Sequence, residues 1–325
     1  MYGECPNGPI EVEMCIDPVT DAQYVCPPPA ERRVFSDGGA LSNELSSRVD
    51  ASTATLAAYE QQQGFQSLRA YLDGGEEFTT GTGEDPTGNE AVALQNDGVV
   101  RSDFPVGDAI LSLMNSRGEI QVGDSVYKVT RDNVFAVHVV DVAVLQQKVP
   151  TLSSPPPSDG DPRIAVAAVE TTVPPESQVM YSRAPAPGGP AFHHVPGVGG
   201  VCYVNAGSSY RMRGKSYKTF WFFYTEAGVT TEWERKKKFL WTSYWANTYQ
   251  SGTLSYSFTS TLTQGQIGLP GSNPVGPPSG SFSWTGTSRI HRTLAWGIFH
   301  RIYGQIHSTH TVSNSQAAGS CQTAA

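Results

Sequence analysis

The spacing of hydrophobic residues divides the chain into two regimes. In the first, "LSNELSSRV" places Leu41, Leu45 and Val49 four apart, on one face of a helix. "TATLAAYEQQQG" brings Leu56 and Tyr59 together and stops at Gly64, a residue that commonly ends helices. "FQSLRAYLDGG" adds Phe65, Leu68, Tyr71 and Leu72 before Gly74-Gly75. "VGDAILSLMNSRG" predicts one more short helix with Ile110, Leu111 and Met114 inward. Helices this short, with stripes this narrow, persist only when docked on something. The period then changes to two. "EIQV" and "SVYKV" alternate at Ile120/Val122 and Tyr127/Val129 around Gly123-Asp124. A glycine first in a two-residue loop suits a type II′ hairpin turn. "NVFAVHVVDVAVL" reads as a third, more apolar strand, with His138 expected as a hydrogen-bonded core residue.

From Pro150 to Gly200 the pattern is lost: about 11 of the 23 prolines fall there, and the stretch reads as extended connector with one strand in "RIAVAAVETTV". From Val201 onward the chain reads as β throughout. "GTLSYSFTSTLTQG" alternates with Leu254, Tyr256 and Phe258 inward, and "GQIGLPGSNPVGPPSGS" reads as a long loop. "FSWTGTSRIHRTLAWGIFHRIYGQIHSTHTVS" reads as one long strand, or two sharing a bend near Gly297 or Gly304. The expected fold is α+β. It comprises a Cys/Pro-rich leader (1–34), a helix plus β-hairpin domain (35–149), a Pro/Gly-rich connector (150–200) and an antiparallel β-sandwich (201–325).

Composition adds a compartment. Charged residues are 16% of the 325, below the roughly 25% usual in globular domains, and the polar uncharged types that replace them suit an exported, loop-rich protein. A net charge of −8 argues against general nucleic-acid binding. The one basic run, Arg235 to Lys238, reads as a solvated turn or edge strand. Cys5, Cys15 and Cys26 crowd the N-terminus, while Cys202 and Cys321 bracket the C-terminal third. With neither C-x-x-C nor zinc spacing, disulfides in an oxidising compartment are the better account. Cys202 is expected to pair with Cys321, closing a loop that contributes about 4 to 5 kcal/mol in the chain-entropy model. Two of the first three would form a second bridge, leaving one thiol free or joined to another chain. No apolar run reaches the roughly 20 residues of a membrane span. "MYGECPNGPI" lacks a signal-peptide layout, so an exported chain is read as a mature form or one whose start lies elsewhere. An intracellular protein with five ordinary thiols is the alternative.

The order of "GFQSL", "LMNSRGEIQVGDSVYKVTRDNVFAV" and the aromatic "YRMRGKSYKTFWFFYTEAGVTTEWERKKK" resembles a family of uncharacterised exported proteins of Gram-negative bacteria, defined as a domain of unknown function. Its signature is "ILN-x-x-GEI-x-VGD-x-IY-x-V", and an "RG-K/S" with an aromatic run opens its C-terminal half. The resemblance covers roughly Phe35 to Leu145 and Tyr210 to Lys238, leaving out the leader and the connector. It implies export and architecture. The family carries no assigned activity, so the resemblance implies no catalytic residues.

Candidate chemistry is sparse. On a strand, His307 and His310 point to opposite faces and chelate poorly, and His193-His194 lies among prolines and glycines. No G-x-S-x-G elbow occurs, and loop carboxylates such as Glu76-Glu77, Glu84-Asp85 and Asp159/Asp161 have no visible partner across a cleft. No catalytic residue, metal or cofactor is expected. The feature above background is the aromatic density from Phe220 to Tyr249. Trp221, Trp233, Trp241, Tyr244 and Trp245 are the candidate contact surface if the sandwich cannot bury them all. The leading expectation is an exported surface or extracellular-matrix structural protein that self-associates into a homo-oligomer or polymer without catalysis. A carbohydrate-binding module with Trp/Tyr platforms for glycans is the alternative. A hydrolase with an unlocated site comes third.

Overall fold

The computed structural model describes residues 14–16, 23–25, 32–63, 66–72, 93, 96–171, 200–239, 242–266 and 273–325. The chain divides into two units, Met1–Glu31 and Arg32–Ala325. In the first, β1 (Met14–Ile16) and β2 (Gln23–Val25) form an antiparallel pair with Cys15 opposite Tyr24.

The second unit opens with β3 (Val34–Phe35), then α1 (Gly38–Ser46), α2 (Thr53–Gln63), α3 (Leu68–Leu72) and, after a 3-10 turn at Arg101–Asp103, α4 (Asp108–Leu113). Asp37 caps α1 by accepting from the Ala40 N–H at 2.8 Å. Of the predicted stripe Leu41, Leu45, Leu56, Leu68, Leu72, Ile110, Leu111 and Met114 are buried, Tyr59 and Tyr71 are half-buried, Val49 is half-buried and lies past the end of α1, and Phe65 lies outside the described residues. These helices pack on β4 (Glu119–Val122) and β5 (Ser125–Val129), the predicted hairpin. Gly123 takes φ +60° at its turn while Asp124 does not go positive, the pattern of a type II′ loop. The hairpin grows into a five-stranded sheet in the order β3-β4-β5-β6-β7, with β6 (Asn133–His138), β7 (Ala165–Ala168) and only the β3–β4 pair parallel. α5 (Val142–Lys148) covers the apolar side of β6. His138 corrects the expectation made for it. It ends β6 rather than sitting within it, is exposed, and accepts from the Val140 N–H at 3.4 Å through Nδ1.

The strand expected in "RIAVAAVETTV" splits into β7 and β8 (Glu170–Thr171), which pair with different sheets. The rest of this unit is β. A hairpin of β10 (Tyr210–Trp221) and β11 (Tyr224–Phe239) holds twelve facing pairs around a Phe222-Phe223 turn. Shorter strands flank it: β8 and β9 (Val201–Ala206) on β10, β12 (Thr242–Asn247) and β17 (Arg289–Ile298) on β11. A second sheet runs β16 (Ser279–Thr285), β13 (Thr253–Ser260), β19 (Ile306–Ser313), β20 (Ala318–Ala324). β14 (Thr263–Gln266), β15 (Asn273–Pro274) and β18 (His300–Tyr303) form a third. The "one or two strands" expected after Ser281 are four. Gly286 at φ +72°, Phe299 at φ +55° and Gly304 at φ +97° break the run; of the two bends considered, the one near Gly304 falls there and the one near Gly297 falls on Phe299.

Met212, Val229, Trp233, Ile290 and Leu294 from the first large sheet meet Leu254, Tyr256, Phe258, Ile306 and Val312 from the second. This is the α+β fold with an antiparallel sandwich that the patterning implies. Trp221, Phe223, Tyr224 and Ile298 join the core of the helices and the β4–β5 hairpin, which makes Arg32–Ala325 one compact unit. A disulfide joins Cys202 of β9 to Cys321 of β20, Cα–Cα 5.8 Å, and ties the two large sheets together. Cys5 and Cys26 lie outside the described residues, and of Cys15 only its strand position is described. Among the described residues no helix is long and apolar enough to cross a membrane.

Candidate functional site

The aromatic residues picked from the sequence separate by depth. Trp221 and Trp233 are 1% exposed and belong to the two cores, which corrects their placement on a contact surface. Trp233 faces inward and stacks on Tyr210, at 6.1 Å between centroids. Trp245 is half-buried under the Arg211 guanidinium, 4.2 Å from its ring. Trp241 lies outside the described residues, and of Tyr244 only the place in β12, opposite Lys237, is described.

The exposed rings are elsewhere. All seven residues of β16 are exposed, with Phe282 at 39% and Trp284 at 57%. In register with β13, Trp284 faces Leu254, Phe282 faces Tyr256 and Gly280 faces Phe258. The β16 aromatics therefore lie on the core-side face of their sheet, where Leu254, Tyr256 and Phe258 are buried and they are not. The Tyr256, Phe282 and Trp284 rings follow one another at 6.0 and 6.2 Å between centroids, with interplanar angles of 28° and 15°. Tyr249, 53% exposed, brings its hydroxyl to Gly286 at the end of the strand. Among the described residues β16 pairs with β13 alone, so its other backbone edge faces outward. The strand carries no charge, proline or bulge, the devices that ordinarily blunt a sheet edge. In sequence the strand is hidden, because "SGS" resembles loop and "FSWT" the start of a longer strand. Its signal is Gly280, Phe282 and Trp284 alternating with serine between Pro278 and Gly286.

The opposite face of the β10–β11–β17 sheet concentrates charge. Arg211, Arg213 and Lys215 alternate along β10, Glu232 and Glu234 along β11, and Arg289 and His291 along β17. All but the half-buried Arg289 and His291 are buried residues. Arg211 pairs with Glu234 at 2.5 Å, Lys215 with Glu232 at 2.8 Å, and Arg289 with Asp108 at 3.0 Å. Arg101 reaches the same Asp108 at 2.7 Å. Burial opposes charge on Asp108, yet Arg289 and Arg101 hold its carboxyl well below the usual range. Burial likewise opposes charge on Glu232, and Lys215, Arg289 and Arg213 overcome it, to about 2. Lys215 is pulled down to about 8 by burial, against the attraction of Glu232.

At the lower end of this face sits Glu226, 1% exposed. Its Oε1 accepts from Tyr217 Oη at 2.5 Å and Thr293 Oγ1 at 2.8 Å, its Oε2 from Tyr224 Oη at 2.6 Å, and the Gly107 N–H reaches both at 2.9 Å. Gly107 has no room for a side chain, since a Cβ would stand 2.6 Å from Oε1. His291 contacts Thr230 through Nδ1 at 2.9 Å and Thr293 through Nε2 at 3.2 Å. Burial and Arg289 push its pKa down to about 3, so the ring is neutral. This cluster resembles an acid–base constellation in composition. In geometry it is a closed hydrogen-bond network, with both oxygens of Glu226 occupied by donors, and it clamps α4 onto the sandwich. Its sequence signal is the period-two charge pattern, opposite in sign on the two arms of the β10–β11 hairpin.

A second polar cluster lies inside the sandwich. His310 Nε2 is 2.6 Å from Ser308 Oγ and its Nδ1 2.8 Å from Thr231 Oγ1, while Ser216 Oγ contacts both Ser308 and Thr323 at 2.6 Å. The His310 ring fills the space above Gly214, whose Cβ would stand 2.4 Å from it. That packing is the physical reason for glycine in "RGK". His307 is exposed on the opposite face from buried His310, as the two-residue period predicts. His193-His194 lies outside the described residues. Among the described residues no three His, Cys, Asp or Glu side chains are grouped to hold a metal.

No family model matches this chain, and no curated protein matches it. Among solved structures it is similar to a DUF4848 family protein from Bacteroides thetaiotaomicron VPI-5482, at 12% identity and a TM-score of 0.23, over 96% of this chain and 100% of that one. A TM-score that low carries no argument about fold or activity.

Proposed function

We propose that the chain is an exported, non-catalytic component of a cell surface or extracellular matrix that associates with copies of itself through the β16 edge. One observation carries this reading: a seven-residue, wholly exposed, uncharged edge strand that presents Phe282 and Trp284. Edges of this kind are templates for pairing with another chain. The Cys202–Cys321 bridge supports an oxidising compartment, and the resemblance of the GEI-x-VGD block supports export. An odd thiol among Cys5, Cys15 and Cys26 would add a covalent link between chains. A second reading, a glycan platform, draws on the near-parallel Phe282 and Trp284 rings.

Sedimentation velocity over a wide concentration range separates the two. Self-association predicts a rise in sedimentation coefficient with concentration that Ser283→Lys abolishes by setting a charge on the edge. A wild-type protein that stays monomeric throughout refutes it. Glycan-array binding lost in Trp284→Ala would then install the platform reading.

A further inference from the structure

We infer that the rings of Phe282 and Trp284, the guanidinium of Arg292 and the hydroxyl of Tyr256 form one subsite for an acidic glycan. The rings would stack a uronic acid residue by its apolar face, and the two polar groups would hold its carboxylate. The inference goes beyond self-association, which would use the backbone edge of β16. It deepens the platform reading, on which it rests, by naming the sugar.

The subsite follows from the way β16 enters β17. Only Gly286, Thr287 and Ser288 join them, and from Thr285 to Arg289 such a link reaches at most about 14 Å, while packed sheets stand about 10 Å apart. The two strands belong to different sheets, so they face one another across the mouth of the sandwich. Phe282 and Trp284 occupy the β16 side of this arch. On β17, Arg292 stands opposite Val229 and so shares the core-side face with Ile290. Val229 and Ile290 are buried, yet Arg292 is exposed. Among the described residues β17 pairs with β11 alone, so the first sheet ends there and Arg292 reaches solvent past its edge. The chain before β16 closes the far end of the arch, where Gly276 packs so tightly that a Cβ would stand 2.3 Å from the Leu294 carbonyl oxygen.

Two polar groups here have no partner in the protein. Among the described residues Arg292 makes no ion pair and the Tyr256 hydroxyl no hydrogen bond, although Tyr256 is only 3% exposed. Buried polar groups are ordinarily satisfied, so this hydroxyl calls for a ligand. Burial pushes it up to about 12 and the Arg292 charge acts against that rise, which keeps the phenol a donor beside a cation. A carboxylate accepts from both kinds of donor. The Tyr256 ring leads on to Phe282 and Trp284 at 6.0 and 6.2 Å between centroids. Near-parallel rings left open to solvent suit a pyranose, which lays its C–H face on them and keeps its hydroxyls in water. A lipid tail would need an enclosing cavity instead. Charge favours the same ligand. No Asp or Glu follows Glu234, so β13, β16 and β17 carry no carboxylate to repel an anion, in a chain whose net charge is −8.

Isothermal titration calorimetry of the full chain tests the subsite, with galacturonate, mannuronate and glucuronate oligosaccharides each set beside its methyl ester. For at least one series the acid is expected to bind about tenfold or more tighter than the ester, the size of one charge-assisted hydrogen bond. Arg292→Gln is expected to abolish that preference and leave the ester's affinity unchanged, while Trp284→Ala weakens both. Tyr256→Phe keeps the ring and is expected to weaken the acid alone, at an unchanged urea midpoint. A fall in that midpoint would show the hydroxyl bound within the protein and overturn its place in the subsite. Equal affinity for acid and ester in every series would overturn the uronate and leave the platform reading standing. No binding of either would overturn both, with self-association still open to sedimentation. A single-stranded oligonucleotide bound more tightly than every uronate would overturn the sugar as the occupant.

Discussion

The buried network at Glu226 permits a quantitative test by a double-mutant cycle on Tyr217 and Glu226. The Tyr217 hydroxyl donates to Oε1 at 2.5 Å, and its ring stacks on His291, with 6.0 Å between centroids. Tyr217→Phe keeps the stacking and the packing over Gly228, and removes one hydrogen bond to a charged acceptor, worth about 1.5–3 kcal/mol. Oε1 still accepts from Thr293 and Gly107, so no oxygen is orphaned and the expected cost is about 2 kcal/mol. Glu226→Gln keeps a carbonyl at Oε1 and places an amide donor at Oε2, where the Tyr224 hydroxyl can rotate to accept. The three bonds at Oε1 survive as neutral bonds about half as strong, while the amide nitrogen meets the Gly107 N–H donor to donor where Oε2 accepted it, so the loss is at least about 3 kcal/mol in all. In the Glu226→Gln background, Tyr217→Phe then removes only about 1 kcal/mol, a coupling of about 1 kcal/mol. Urea titrations followed by tryptophan fluorescence measure these costs, because Trp221 and Trp233 are both buried. Additive costs, or a Tyr217→Phe cost under about 0.5 kcal/mol, would refute the view of Glu226 as the shared acceptor that holds α4 on the sheet.

Two further outcomes are expected. Replacing Cys202 and Cys321 by serine opens a bridge between residues 119 apart, for a loss of up to about 5 kcal/mol on the chain-entropy model; a urea midpoint unchanged by reductant would contradict this. Acid should destabilise the fold early, because His291 and His310 are each held down to about 3, first by burial and then by nearby cations, against an ordinary 6.5. Between those values the unfolded chain binds more protons, so stability falls as pH drops through the window, by about 2.7 kcal/mol per pH unit where both histidines contribute fully. Glu232 adds to the loss below about pH 4.5, and His310→Gln should remove one proton's worth of slope. A urea midpoint that stays level from pH 7 to pH 5 would sink the claim.

The features legible in the sequence are those set over a few residues. Leu41 and Leu45 share a face because a helix repeats every 3.6 residues. Leu254, Tyr256 and Phe258 share one because a strand repeats every two. Gly123 adopts the positive φ that a two-residue hairpin asks of its first position. The Cys202–Cys321 pairing followed from where the cysteines stand in the chain. Tertiary structure alone decided which of those faces would be covered. Trp221 and Trp233 lie in aromatic runs that look surplus, yet they are buried because the long hairpin containing them packs on both cores. Trp284 continues the same inward face as Leu254 and stays exposed because β16 stands at the end of its sheet order, with no strand among the described residues beyond it to extend the core. The charges of Arg213 and Glu232 could be counted along the chain. That they face each other across a buried sheet depends on the Trp221–Tyr224 turn setting the register of the whole hairpin. Periodicity states which way a side chain points, while burial depends on whether another element arrives to meet it, and that is a property of the assembled layers.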